Sequence, residues 1–170
     1  MKSNGSVYVA VVFAVLIGYF GYQWWFNPAR AVKRRLGEVA AALSASADET
    51  DMMRVARLAR LRGYLADDIR VRPGASAPEI TSRETVLVAI GSWRPPPGGG
   101  DIHFADVHIA MESDTAARAD VTVELTVPDR ETGRQTIDAR DATASLAKLN
   151  GEWVITAAES KEIPAAAPRP

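Results

Sequence analysis

Acid–base chemistry needs a titratable side chain held beside a second polar group in a water-poor site. Few residues of this chain qualify. Tyr64 is followed closely by Asp67 and Asp68, His103, Asp106 and His108 share a later segment, and Asp141 stands in phase with Ile137 and Ala139. An acid on an otherwise apolar face can point into a cavity. Asp141 is therefore the leading acid/base candidate and Asp67 the second, with Tyr64 or His103 as partner. Each has a structural reading beside the catalytic one. Asp67 or Asp68 suits the start of a strand, and Asp141 can pair with Arg118 or Arg140 at a sheet edge. His103 and His108 alternate with Ile102, Phe104, Val107 and Ile109, a pattern that turns both outward.

Other chemistries are excluded or poorly supplied. The 170 residues contain no cysteine, so there is no disulfide, thiolate nucleophile or zinc–cysteine centre. The only two histidines sit five apart, a poor same-face spacing on a strand, and no metal site is expected. Gly98–Gly100 follows three prolines and opens a strand rather than a helix, so it is a loop and not a phosphate cradle. A net charge of −1 with no long basic stripe argues against nucleic acid as a partner. No cofactor is expected.

The elements that must position these residues divide into two materials. Eight of the twelve aromatic residues lie within the first 26 positions, and residues 7–26 carry no charge. Twenty residues at 1.5 Å each span about 30 Å, the thickness of the hydrocarbon core. After a short tail (1–6), residues 7–26 are read as a single-pass transmembrane helix, with Trp24 and Trp25 at the headgroup belt. A signal peptide has a shorter apolar region, although Ala29-Arg30-Ala31 resembles a cleavage site. Ala10, Ala14 and Gly18 form a small-residue row that could pack two such helices. Arg30, Lys33, Arg34 and Arg35 follow and are candidates to face anionic lipid heads. A positive-inside count places the domain in the cytoplasm, and the short tail fits the periplasmic side, so the side of the membrane stays open.

Beyond the anchor, Asn27 and Pro28 start an amphipathic helix to about Ser44, with Val32, Leu36, Val39 and Leu43 inward. Ser46 and Glu49 suggest a capping box for a helix over 48–63, with Met52, Val55, Ala56 and Ala59 inward and Leu58 and Leu61 as further inward candidates. Residues 65–71 read as a strand, and Thr81–Glu84 as a capping box for a helix to Trp93. Period-two segments follow: one over 102–111 with a bulge near Ala105-Asp106, one over 119–127, a long strand over 135–149, and one from Trp153 after an Asn150-Gly151 turn. Residues 159–170 are expected to be a disordered tail. Trp93, Phe104 and Trp153 are the large aromatics available to line a pocket or to fill the core.

This order predicts an α+β cone, three helices packed on a curved antiparallel sheet. Three segments resemble the NTF2-like (SnoaL-like) superfamily: Leu65-Ala-Asp-Asp-Ile-Arg-Val71, Ile80-Thr-Ser-Arg-Glu-Thr-Val86 with Ser82 where the family has glycine, and Asn150-Gly-Glu-Trp-Val-Ile155. The resemblance covers residues 29–158. An N-terminal membrane helix before such a domain is similar to the architecture of bacterial envelope proteins, among them inner-membrane secretion components and Mce-associated proteins. The resemblance implies a homodimer paired through the open sheet face. It also implies either a non-catalytic module for protein contact or small-ligand binding at the membrane, a cavity enzyme of the isomerase/dehydratase kind, or an assembly component of an envelope complex.

Overall fold

The computed structural model describes residue 15 and residues 27–74, 77–94, 98–128 and 134–161. Apart from Val15, the expected membrane helix lies outside the described residues, and so do Ala10, Ala14, Gly18, Trp24 and Trp25. Among the described residues no helix is long and apolar enough to cross a membrane.

Three helices and five strands follow in the order α1 (Pro28–Leu43), α2 (Asp51–Arg62), β1 (Leu65–Arg72), α3 (Arg83–Ser92), β2 (Asp101–Met111), β3 (Ala116–Pro128), β4 (Gln135–Leu149) and β5 (Glu152–Ser160). The sheet order is β1-β5-β4-β3-β2. Three pairs are antiparallel, but β1 runs parallel to β5. The sheet is therefore mixed rather than wholly antiparallel. A strand reached through helices can return alongside the last strand in either direction, and periodicity carries no sign of direction.

Local chemistry sets the element ends. The Asn27 side chain accepts from the Ala29 amide at 3.0 Å, and Pro28 takes the first helical position. Asp106 adopts φ 46° where the β2–β3 register shifts, which is the expected bulge. Asn150 and Gly151 both have positive φ, 52° and 87°, as a tight hairpin turn requires. At Gly100 an added Cβ would lie 2.8 Å from the Trp93 ring, so glycine is what lets that indole reach the β2 backbone. β5 continues through Ser160, into the stretch expected to be disordered, because residues 158–160 pair with β4.

Two caps differ from expectation. Thr50, not Ser46, caps α2 by accepting from the Met53 amide at 3.2 Å. Ser82, not Thr81, caps α3, and its side chain makes no cap bond. The helices cover one sheet face. Val32, Leu36, Leu61, Ile69, Ala119 and Leu146 are among the core residues there, and Phe104, Val107 and Ile109 of β2 pack against them. The opposite, outer face is polar, with Arg118, Asp120, Thr122, Glu124 and Thr126 projecting from β3.

Candidate functional site

The structure does not gather the acid/base candidates. Tyr64 is half-buried at the start of β1, with the Arg35 guanidinium 5.0 Å above its ring. The Asp67 side chain is 83% exposed and pairs with Arg83. Asp141 is in phase with Ile137 and Ala139, but that face is the outer one. Register pairs these three with Thr122, Thr126 and Glu124, and Ile137 is itself exposed. The helix-side positions of this half of β4 are Asp138 and Arg140, opposite Leu125 and Val123. Asp141 therefore points away from the core, toward a shallow depression of the outer face. His103 is likewise exposed on the outer face, opposite Glu124.

The aromatic candidates serve the core. Trp153 is buried in it, Phe104 is half-buried against it, and Trp93 is half-buried over Gly100. Trp153 also lines a surface cavity with Arg34, Arg35, Glu38 and Glu152, and none of the acid/base candidates lines that cavity.

One polar cluster does form on the outer face. Asp106, His108, Asp120, Thr122, Asp141 and Lys161 surround a shallow cavity of about 240 Å³. Thr143 donates to Asp120 at 2.7 Å, Lys161 donates to the same oxygen at 3.0 Å, and Thr122 donates to Asp141 at 3.0 Å. The Thr143 hydrogen bond and the Lys161 ammonium hold the Asp120 carboxyl below its usual range. Asp120 is thus satisfied as an anion in an open site, an arrangement that suits surface structure better than proton transfer. Among the described residues no group of histidine and acid side chains is placed to hold a metal ion.

The basic residues that follow the uncharged segment 7–26 are not equivalent. Arg35 has a side chain only 16% exposed and is paired with Glu38 and Glu152. It clamps α1 to the β4–β5 hairpin. Lys33 and Arg34 are exposed, Arg34 at 78% of its side chain, and Arg30 is exposed on the same helix.

The largest departure from expectation is in α2. Met52 (83% exposed) and Val55 (67%) face solvent with Ala56 and Ala59, while Arg57 and Leu61 are buried. Glu49 receives Arg57 in a two-point bond of 2.7 and 3.2 Å, with Arg54 beside it at 3.4 Å. The Arg57 hydrogen bond, more than desolvation opposes it, pulls the Glu49 pKa down. The acid expected to cap the helix is instead the buried counter-ion that rotates it. Met53 (52%) and, on the adjacent α3, Val88 (71%) are also exposed.

No family model matches the sequence, and no curated protein matches it. Solved structures do. A putative scytalone dehydratase from Novosphingobium aromaticivorans is 17% identical, with a TM-score of 0.60 over 79% of this chain and 83% of that one. ActVI-ORFA from Streptomyces coelicolor is 12% identical, with a TM-score of 0.65 over 79% and 96%. The calcium/calmodulin-dependent kinase II hub homology domain of Chlamydomonas reinhardtii is 13% identical, with a TM-score of 0.62 over 81% and 99%. Identities this low speak to fold alone. With three helices on one face of a curved five-stranded sheet, the described chain has the NTF2-like α+β fold.

Proposed function

We propose that this protein is a membrane-anchored, non-catalytic NTF2-like module that works by protein contact, with the outward stripe of α2 as its contact surface. The observation that carries this reading is that α2 buries an arginine and leaves Met52, Val55, Ala56 and Ala59 in solvent. An apolar face left outside while a cation goes inside costs stability, and contiguous exposed apolar surface marks interaction sites. The scatter of Asp141, Asp67, Tyr64 and His103 supports contact over acid–base catalysis. The hub homology domain named above has the same fold, which fits an assembly role in the envelope.

The homodimer belongs to this proposal, but its surface is α2 rather than the open sheet. The outer sheet face is charged and hydroxylated, a poor core for a lasting interface. The α2 stripe offers roughly a few hundred Å², less than the roughly 800 Å² per partner of a stable soluble complex. The uncharged segment 7–26 supplies the missing term. Anchored copies share a thin layer, and confinement raises their effective concentration. Arg30, Lys33 and Arg34 face anionic lipid in this arrangement.

Light scattering of full-length protein in neutral detergent tests the reading. The wild-type chain should self-associate as concentration rises, and Met52→Glu/Val55→Glu should remain monomeric while keeping its circular dichroism spectrum. Equal self-association of both proteins would count against α2 as the surface.

A further inference from the structure

The long strand β4 outruns one of its neighbours. It pairs with β3 all the way from Gln135 to Ala147. Its pairing with β5 starts at Ala142 and runs to Leu149. One further bond, from the Lys161 amide to the Asp141 carbonyl at 2.8 Å, closes that ladder. Among the described residues, 135–140 therefore have β3 on one side and no strand on the other. Every residue from 135 to 141 is exposed, Ile137 at 60%. Such an edge presents unpaired N–H and C=O groups, which proteins cover or blunt. Because Lys161 is bonded to Asp141, the chain that leaves Lys161 starts at the first open position of this edge.

We propose that residues 162–167 occupy this edge, extending β5 along β4 in unbroken register in place of the disorder that composition suggests. Register and sequence agree on it. Hydrogen-bonded and non-bonded pairs alternate in an antiparallel ladder. Ser160 lies opposite Ala142, and the Lys161 amide bonds the Asp141 carbonyl, so 161 and 141 are a bonded pair. Continued along the edge, the amides of 163, 165 and 167 turn toward β4, and those of 162, 164, 166 and 168 turn away. The sequence after Lys161 reads Glu-Ile-Pro-Ala-Ala-Ala-Pro. Pro164 and Pro168 both fall where the N–H turns away, so neither removes a ladder bond. The same register sets Glu162 opposite Arg140, an opposite-charge pair. Arg140 meets Asp138 at 3.3 Å yet keeps 68% of its side chain exposed, which leaves room for a second carboxylate. On the outer face Ile163 stands opposite Ala139, and Ala165 stands opposite the exposed Ile137. Pairs of both kinds stabilise a sheet. The new margin carries Pro164, which blunts it against further strand pairing. This contact involves no residue of the α2 surface.

Amide hydrogen exchange of full-length protein in neutral detergent, followed by NMR, tests this residue by residue. With intrinsic rates divided out, Ile163 and Ala165 should exchange about tenfold or more slower than Glu162 and Ala166. Ile137 and Ala139 of β4 should be protected with them, at every protein concentration. Ala165→Pro deletes a ladder donor and should remove the protection at Ile137. Ala166→Pro, one residue on, lies in the outward phase and should leave it. Neither variant alters a core residue, so the fold is retained in both. Fast exchange throughout 162–167, or equal effects of the two proline variants, would overturn the proposal. Protection of Ile137 and Ala139 without Ile163 and Ala165 would overturn it in favour of a foreign strand on the edge. Protection that fades on dilution would overturn it in favour of a second copy.

Discussion

Glu49 and Arg57 decide how α2 sits, and their energetics are testable residue by residue. Their side chains are only 5% and 8% exposed. Removing one partner of a buried pair leaves an uncompensated charge, at a cost of about 3–5 kcal/mol. Glu49→Ala should lose that much stability in denaturant melts. The double change Glu49→Leu/Arg57→Met should recover most of it, because apolar replacement of a whole pair is often neutral. The pair also fixes a pH dependence. The folded pKa of Glu49 is depressed below the ordinary glutamate value of about 4.3. Its contribution is therefore fully present above that value and is lost as pH falls through the folded pKa. Acid sensitivity should be visibly flatter in the double variant. On the outer face, Thr143→Val removes the hydrogen bond that most lowers Asp120. The Asp120 titration followed by NMR should then move up toward the ordinary aspartate range.

The elements show where sequence pattern is informative and where it is ambiguous. The α1 stripe was legible because one apolar face, Val32–Leu36–Val39, had no rival. The hairpin at Asn150-Gly151 was legible because only a few residues tolerate positive φ, and Gly151→Ala should cost about 1–2 kcal/mol in the same melts. α2 was not legible in the same way. It carries two apolar stripes on roughly opposite faces, Met52–Val55–Ala56–Ala59 and Leu58–Leu61. Periodicity cannot rank them. The buried acceptor at Glu49 ranks them, and no spacing rule announces it. Leu61→Ala should therefore cost about 2–5 kcal/mol. Met52→Glu and Val55→Glu should change stability by no more than about 0.5 kcal/mol, the reverse of what an inward stripe would give. The placing of Asp141 was ambiguous for a related reason. Its phase with Ile137 was right, but the apolar side chains of that half of β4 are not on the core side.

At the scale of the molecule, the proposal gives the segment 7–26 and the folded domain separate roles. The uncharged segment 7–26 is read as holding the domain at a bilayer, and the cone as presenting α2. Full-length protein should stay in the membrane pellet after alkaline carbonate extraction, and a chain lacking residues 1–26 should be released. Because the natural chain has no cysteine, a single introduced thiol reports pairing without background. In an isologous dimer a residue near the two-fold axis meets its own copy, and a disulfide forms only when the two Cα atoms come within about 7 Å. The most direct test is therefore oxidation of Val55→Cys in native membranes, beside His103→Cys on the outer sheet face. The account predicts a covalent dimer from Val55→Cys and monomer from His103→Cys. Covalent dimer from His103→Cys with none from Val55→Cys would place the contact on the sheet and contradict it.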